Sequence, residues 1–297
     1  MTALTYDSRS QLRGVIAAGV SATSFGVSIT FATVAYAGGS DPLTVVAFRT
    51  VAGLLISLAI VSFVRRPLLP ERNAMTPLML MVAGLLFVNY GYNWSVHYIP
   101  ISLAVLVFYT FPLIVLAVEA LGNWRLPAVA SLLAFVLAFI GLGLALGPSF
   151  AELNWRGLLC ACLASVGGVL MFVFGARAAR TSGLMTMTVF THIIAGPLTI
   201  MAVFAFGGPA LPTTGLGWLG LNVAAAAYVN GLLFQFIAMR LTTPALAAMV
   251  FNMEPLAVIV LATLYLGERL EMVQYAGGVC VLAAILIASR QRIQPIP

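Results

Sequence analysis

Asn89, Asn93 and His97 recur every four residues, with Tyr92 beside them, inside a stretch that is otherwise apolar. At helical spacing they share one face, so this segment carries a polar and aromatic stripe on an otherwise greasy helix. Such a stripe can hydrogen-bond to a small organic solute and stack on it. Tyr228 and Gln235 form a second stripe seven residues apart, with Gly231 between them to allow close approach. A third group lies before two prolines: Phe108, Tyr109 and Thr110 precede Pro112, and Phe251, Asn252 and Glu254 precede Pro255. A proline removes one helical hydrogen bond, here freeing the carbonyls of Phe108 and Phe251 for a solute or for each other's neighbours. Ser24, Ser28 and Ser165 could add hydroxyls, although small residues of this kind also serve as helix-packing surfaces.

Arg49, Glu119 and Glu254 are charged residues within apolar segments. A charge at the centre of a membrane helix costs about 2.5–3.5 kcal/mol on insertion scales, so each must be paired, neutralised or hydrated. The Glu254 carboxyl could bind a substrate amine, carry a coupling proton, or accept bonds from a neighbouring helix. Arg49 could pair with a substrate carboxylate, but a structural anchor is the preferred reading. Glu119, near a segment end, is expected to snorkel or to pair with Arg125. His192 is expected to hydrogen-bond between helices. The resulting candidate substrate-binding set is Asn89, Tyr92, Asn93, Phe108, Tyr109, Tyr228, Gln235, Phe251, Asn252, Glu254 and Ser24, with Glu254 as the coupling candidate. Hydrogen-bonded glue between helices is the competing role for Asn89, Tyr92 and Asn93. His97, Trp94 and Tyr98 fit an aromatic belt at a membrane boundary. Cys160, Cys162 and Cys280 read as small packing residues, with no disulfide, no metal site and no cofactor expected.

These side chains need elements that hold them at membrane depth, and the composition supplies them. Hydrophobic residues make up 62% of the 297 and charged ones 7%, with a mean hydropathy of +1.09, which excludes a soluble core. Windows of about 20 apolar residues are long enough to span a bilayer. They fall at 14–35, 44–64, 75–96, 101–121, 127–146, 156–177, 185–206, 215–239, 244–265 and 272–289. The first is long enough to span and lacks a small-residue cleavage site, so it is expected to stay. All fourteen basic residues are arginines. They alternate between loops instead of forming a patch, which argues against nucleic acid as a partner. Arg9, Arg13, Arg65, Arg66, Arg72, Arg125, Arg177, Arg180, Arg240, Arg290 and Arg292 fall on one side, and Arg156 and Arg269 on the other. The positive-inside rule then places both termini in the cytoplasm of a bacterial-type inner (plasma) membrane.

The chain is duplicated. A shift of 143 residues lays Tyr92 on Gln235, Ala104 on Ala247, Phe108 on Phe251 and Pro112 on Pro255. A shift of 141 lays Ser24 and Gly26 on Ser165 and Gly167. The expected units are a tail at 1–13, repeats at 14–146 and 156–289, a linker at 147–155 and a tail at 290–297. Five crossings per repeat make the second repeat enter from the opposite face. The expected fold is therefore an all-α integral membrane protein of ten transmembrane helices, two inverted five-helix repeats around a central cavity.

Several stretches resemble a known family. Asp41-Pro42-Leu43 with Arg49, Phe111-Pro112-Leu113, Asn252-Met253-Glu254-Pro255-Leu256 and Leu266-Gly267-Glu268-Arg269-Leu270 look like the EamA-type drug/metabolite transporters, in both halves. The first half departs from the pattern with Leu-Gly-Asn-Trp-Arg at 121–125. The resemblance implies a ten-helix carrier whose first, third, fourth, sixth, eighth and ninth helices surround the cavity, which puts His192 in the seventh away from it. It also implies small metabolites, amino acids or toxic organic compounds as cargo, and points to the branch that exports amino acids, aromatic ones included.

The leading expectation is a secondary carrier exporting small organic metabolites, chiefly aromatic or other neutral amino acids, by alternating access. Its partners would be a small-molecule substrate, membrane lipids and a coupling proton, in a monomer or weak homodimer. An organic-cation and multidrug exporter of the same fold is the alternative, since Tyr92, Phe108, Tyr109, Tyr228 and Phe251 could stack on a cation. An intramembrane lipid-modifying enzyme would need paired carboxylates, a His-Asp relay or a metal cluster at one level, and the sequence offers none. A pore is the remaining alternative.

Overall fold

The computed structural model describes residues 8–64, 70–122, 124, 126–148, 153–266 and 270–293. Arg65, Arg66, Arg125, Glu268 and Arg269, used above for orientation, pairing and family resemblance, lie outside the described residues. So do residues 149–152 of the 147–155 linker and the outer parts of both tails.

Ten described segments are long and apolar enough to cross a membrane. Eight are single helices: α1 (Ser8–Ala37), α2 (Pro42–Val64), α3 (Arg72–Ser95), α6 (Val129–Leu146), α7 (Trp155–Thr181), α8 (Leu184–Ala205), α9 (Gly215–Leu241) and α12 (Met272–Ile293). Several outrun their apolar windows, because helical hydrogen bonding need not stop where the hydrocarbon does. The turns that carry Arg9, Arg13 and Arg290 are helical too.

The fourth and ninth crossings are each broken near mid-membrane, into α4 (Ile101–Phe108) and α5 (Phe111–Gly122), and into α10 (Pro244–Val250) and α11 (Met253–Leu266). Pro112 and Pro255 cannot follow a helical turn without losing a bond and clashing, but they fit the first turn of a new helix. Backbone groups left over at a break inside lipid must be satisfied locally. The Thr110 hydroxyl donates to the Val107 carbonyl at 2.8 Å, and the Asn252 amide to that of Met249 at 2.7 Å. One expectation needs correcting here: the Phe251 carbonyl is not free, since it accepts the Glu254 N–H at 2.9 Å.

The helices pair across the repeats. α1 lies along α9 and α3 along α7, while α2 packs on α8, α6 on α12 and α5 on α10. Exchanging the repeats turns the first pair into the second and leaves α2–α8 and α6–α12 unchanged, as a two-fold axis between inverted repeats requires; the α5–α10 contact departs from that symmetry, because its mate would be α4–α11. Glycines let the backbones meet at these crossings: a Cβ on Gly84 of α3 would lie 2.6 Å from the Gly167 carbonyl of α7, and one on Gly167 as close to that of Gly84. Close approach through small residues is the main source of helix association in lipid, where no hydrophobic effect operates between helices. Hydroxyls reinforce it. Ser21 and Ser28 of α1 donate to the Gly231 and Ala224 carbonyls of α9 at 2.6 and 2.7 Å.

Ten crossings return the chain to the face on which it began, called here the terminal face. Towards that face the bundle is closed by fully buried Met81, Phe172, Met187, Met239 and Met249. On the opposite face the α1–α2 and α8–α9 loops are tied together. Thr213 N–H donates to the Gly38 carbonyl at 2.8 Å, Ser40 to that of Ala210 at 2.8 Å, and Ala210 N–H to the Thr44 hydroxyl at 2.9 Å. Between these layers Arg49, Asn89, Tyr92, Phe108 and Glu254 keep part of their surface uncovered.

Candidate functional site

Arg49 enters the centre from α2. Its Nη2 donates to Asn89 Oδ1 on α3 at 2.8 Å, and its guanidinium carbon lies 4.7 Å above the Tyr228 ring of α9. Asn89 is pre-set for this role, because its Nδ2 donates to the Leu85 carbonyl at 3.0 Å and leaves Oδ1 facing the arginine. Both partners are neutral. The Arg49 Nε is buried without a hydrogen-bond partner. The expected anchor is thus real, since Arg49 ties three helices together, but it also brings a positive charge to the centre.

Glu254 comes from the other repeat, in the first turn of α11. The positive end of a helix dipole favours a carboxylate there by roughly 0.3–1 kcal/mol. The carboxyl lies beside the Tyr109 hydroxyl and within electrostatic reach of Arg49. Tyr109 is buried, and its hydroxyl does not reach the geometry of a full hydrogen bond. Among the described residues no carboxylate makes an ion pair with Arg49.

Aromatic rings wall this space in a continuous series drawn from both repeats. From Tyr228 it runs to Phe25 (ring centroids 5.9 Å apart), Phe251 (6.0 Å), Phe172 (4.9 Å), Phe111 (5.2 Å), Phe108 (5.1 Å) and Tyr92 (6.4 Å). Three of these six contacts are edge-to-face, a geometry that ring quadrupoles favour. Two glycines make room for it: a Cβ on Gly231 would meet the Phe25 ring at 3.2 Å, and one on Gly168 the Phe111 ring at 2.8 Å. Asn89, Tyr92, Phe108, Arg49 and Glu254 are half-buried and so border open space.

The sequence profile of the EamA-like transporter family matches residues 12–147 and again 155–290. The chain belongs to this family. Among curated relatives of this EamA-like transporter, an uncharacterized transporter of Archaeoglobus fulgidus is 30% identical over 254 residues, 85% of this chain and 88% of its own. The threonine/homoserine exporter RhtA of Salmonella typhimurium is 29% identical over 248 residues, 82% of this chain and 79% of its own. A solved crystal structure superposes with a TM-score of 0.76 over 96% of this chain and 98% of that one, at 16% identity, and so shares the fold.

Other candidates in this EamA-like transporter lie outside the cluster or spend their polar groups locally. Ser24 donates to the Val20 carbonyl at 2.7 Å and accepts Asn230 Nδ2 at 2.8 Å along an exposed seam of α1 and α9. Asn93 Nδ2 turns back to the Asn89 carbonyl at 2.6 Å, and Asn252 Nδ2 is used at the α10–α11 break. Gln235 is 1% exposed, and both of its amide atoms lack a partner. Glu119 Oε2 accepts the Ala245 N–H at 2.9 Å, tying α5 to α10. The His97 and Trp94 rings lie 5.6 Å apart and tilted, and Trp94 meets Phe206, at the opposite-face boundary.

His192 differs from its expectation on two counts. Its Nδ1 bonds the Thr188 carbonyl of its own helix at 2.7 Å, not another helix. Because a carbonyl only accepts, Nδ1 carries the proton, and the buried Nε2 has no partner. Its ring also reaches the central cluster, 6.0 Å from Tyr228 and edge-on. Phe25 and Phe172 were not singled out by the sequence. The available signals were Gly231, whose missing side chain Phe25 fills, and Gly168, which admits the Phe111 ring that stacks on Phe172.

Proposed function

We propose that this EamA-like transporter is a secondary carrier that exports small organic metabolites, amino acids foremost, aromatic or other neutral, across a bacterial-type inner membrane by alternating access. The observation that carries this reading is the centre itself. A cation on one repeat, Arg49, and a carboxyl on the other, Glu254, face the same aromatic-walled space without joining. Groups contributed by both inverted repeats would change their separation as the repeats rock, which is how such carriers couple binding to access. The name of RhtA, a threonine/homoserine exporter, points the same way. The arginine distribution supports a cytoplasmic terminal face, and on that reading the buried methionine layer lies on the cytoplasmic side. Asn89, Tyr92, Phe108, Tyr109, Tyr228 and Phe251 contact substrate, and Glu254 is the proton-coupling group. The carrier needs only substrate, lipid and a proton, and works as a monomer or weak homodimer.

Counterflow of radiolabelled amino acids in proteoliposomes of the purified protein tests this. Saturable accumulation that depends on unlabelled amino acid in the lumen supports the carrier. Flux that neither saturates nor responds to trans substrate points to a pore. A second reading, export of organic cations, is favoured by the aromatic series beside Glu254, and accumulation of a cationic dye with no amino-acid flux would establish it instead.

A further inference from the structure

We infer that Arg49 and Glu254 form a two-ended clamp for a zwitterion: the guanidinium takes the substrate's α-carboxylate and the Glu254 carboxyl takes its α-ammonium. The inference rests on the amino-acid reading above and deepens it. It assigns Arg49 a direct contact with substrate, and it makes both a free amine and a free carboxylate conditions for transport.

Three features of the arrangement carry it. First, Arg49 is held by neutral partners only, Asn89 Oδ1 at 2.8 Å and the Tyr228 ring at 4.7 Å, and its Nε is buried with nothing to donate to. A guanidinium held this way retains its charge, and while Nε is shielded, Nη1 makes no hydrogen bond and is not buried, which leaves it to donate to a carboxylate. Asp41, the acid that precedes α2, has its Oδ1 engaged in accepting the N–H groups of Leu43 and Thr44 at 2.8 and 3.0 Å.

Second, Glu254 feels the charge of Arg49 without making an ion pair with it. Tyr36 lies within electrostatic reach of Arg49 and Asp41, and Tyr92 within that of Glu254. Opposite charges left apart at membrane depth are costly unless something sits between them. A zwitterion satisfies both, leaves the site neutral and carries no net charge across. Its ammonium has three donors to offer the Glu254 carboxylate, which is only partly buried.

Third, the two ends come from α2 and α11, elements of different repeats. The space between them opens onto Phe25, Phe108, Phe251 and Tyr92, against which a side chain can lie. The clamp thus reads the invariant end of an amino acid and leaves its side chain to the rings.

The test uses two matched series against proteoliposomes of the full-length protein: L-phenylalanine, 2-phenylethylamine and 3-phenylpropionate; and L-threonine, 1-amino-2-propanol and 3-hydroxybutyrate. Each series removes the carboxylate or the amine in turn. For the amino acid that the wild type accumulates, the matched amine and acid should compete roughly 10- to 100-fold more weakly, the range for losing a hydrogen bond to a charged group. Arg49→Gln should abolish the preference over the amine, and Glu254→Gln the preference over the acid. Asn89→Asp gives an independent variant if Arg49→Gln folds poorly. Its carboxylate would take the substrate's place at Arg49, so amino-acid uptake should fall while the amine gains. Variants that keep wild-type discrimination would overturn the clamp and leave the carrier intact. A wild type that accumulates the amine as well as the amino acid would also overturn the clamp. Accumulation of the amine alone, or of no member of either series, would remove the amino-acid reading and the clamp with it.

Discussion

Glu119 accepts the backbone N–H of Ala245 at 2.9 Å, so a carboxylate at the end of the fourth crossing holds the first turn of the ninth. The two belong to different repeats, and the contact lies on the terminal-face side of both breaks. Removing a side chain that caps a helix costs about 0.5–2 kcal/mol. Glu119→Ala should lower the thermal unfolding midpoint of the detergent-solubilised protein, and Glu119→Gln, which keeps an acceptor oxygen, should lower it less. Equal midpoints for wild type and Glu119→Ala would show that the contact adds nothing.

Glu254→Gln preserves shape but cannot pick up or release a proton. Uptake driven by an imposed proton gradient should therefore be lost. Transport that keeps its wild-type pH dependence in this variant would remove Glu254 as the essential proton carrier.

A methyl group on Gly53 would overlap the His192 ring. Overpacking of this kind costs about 1–3 kcal/mol. Gly53→Ala should be destabilised by that amount in a thermal melt, and combining it with His192→Ala should restore part of the loss. Additive losses in the double variant would mean that the two sites do not touch in the working protein.

Tyr228 lies beneath Arg49 through its ring, not through its hydroxyl. Tyr228→Phe should keep most transport activity, while Tyr228→Leu should lose up to about 30-fold, corresponding to the roughly 2 kcal/mol of a desolvated cation–π contact. Equal activity of the two variants would exclude the ring as the support for Arg49.

The ten crossings and the duplication were legible because each apolar window is self-sufficient and because Phe108 and Phe251, with their prolines, survive in register. The positions of the two breaks were less so. Proline marks where a helix can restart, but where the previous one stops depends on which carbonyl Thr110 or Asn252 can reach. The stripe on α3 showed Asn89 and Tyr92 by period alone. Asn93 has the same period but folds its amide onto its own helix, a local competition that spacing does not reveal. Phe25 and Phe172 were hidden for a different reason. The chain has 18 phenylalanines, and in a bilayer protein a ring facing lipid and a ring facing the interior look alike in hydropathy. Arg49 was visible as an isolated charge, but its dual position, bracing three helices while keeping Nε unsatisfied, depends on contacts between residues far apart in the chain.

Pairing α1 with α9 and α3 with α7 also constrains how the protein is made. Synthesis delivers α1 and α3 to the membrane well before α7 and α9 exist, so Gly84 and its neighbours wait in lipid with backbone faces that have no mate. The first half therefore cannot mature by itself. Its final packing is set only when the last crossings leave the ribosome, and assembly proceeds as the closing of two interlocked halves instead of the docking of two finished domains.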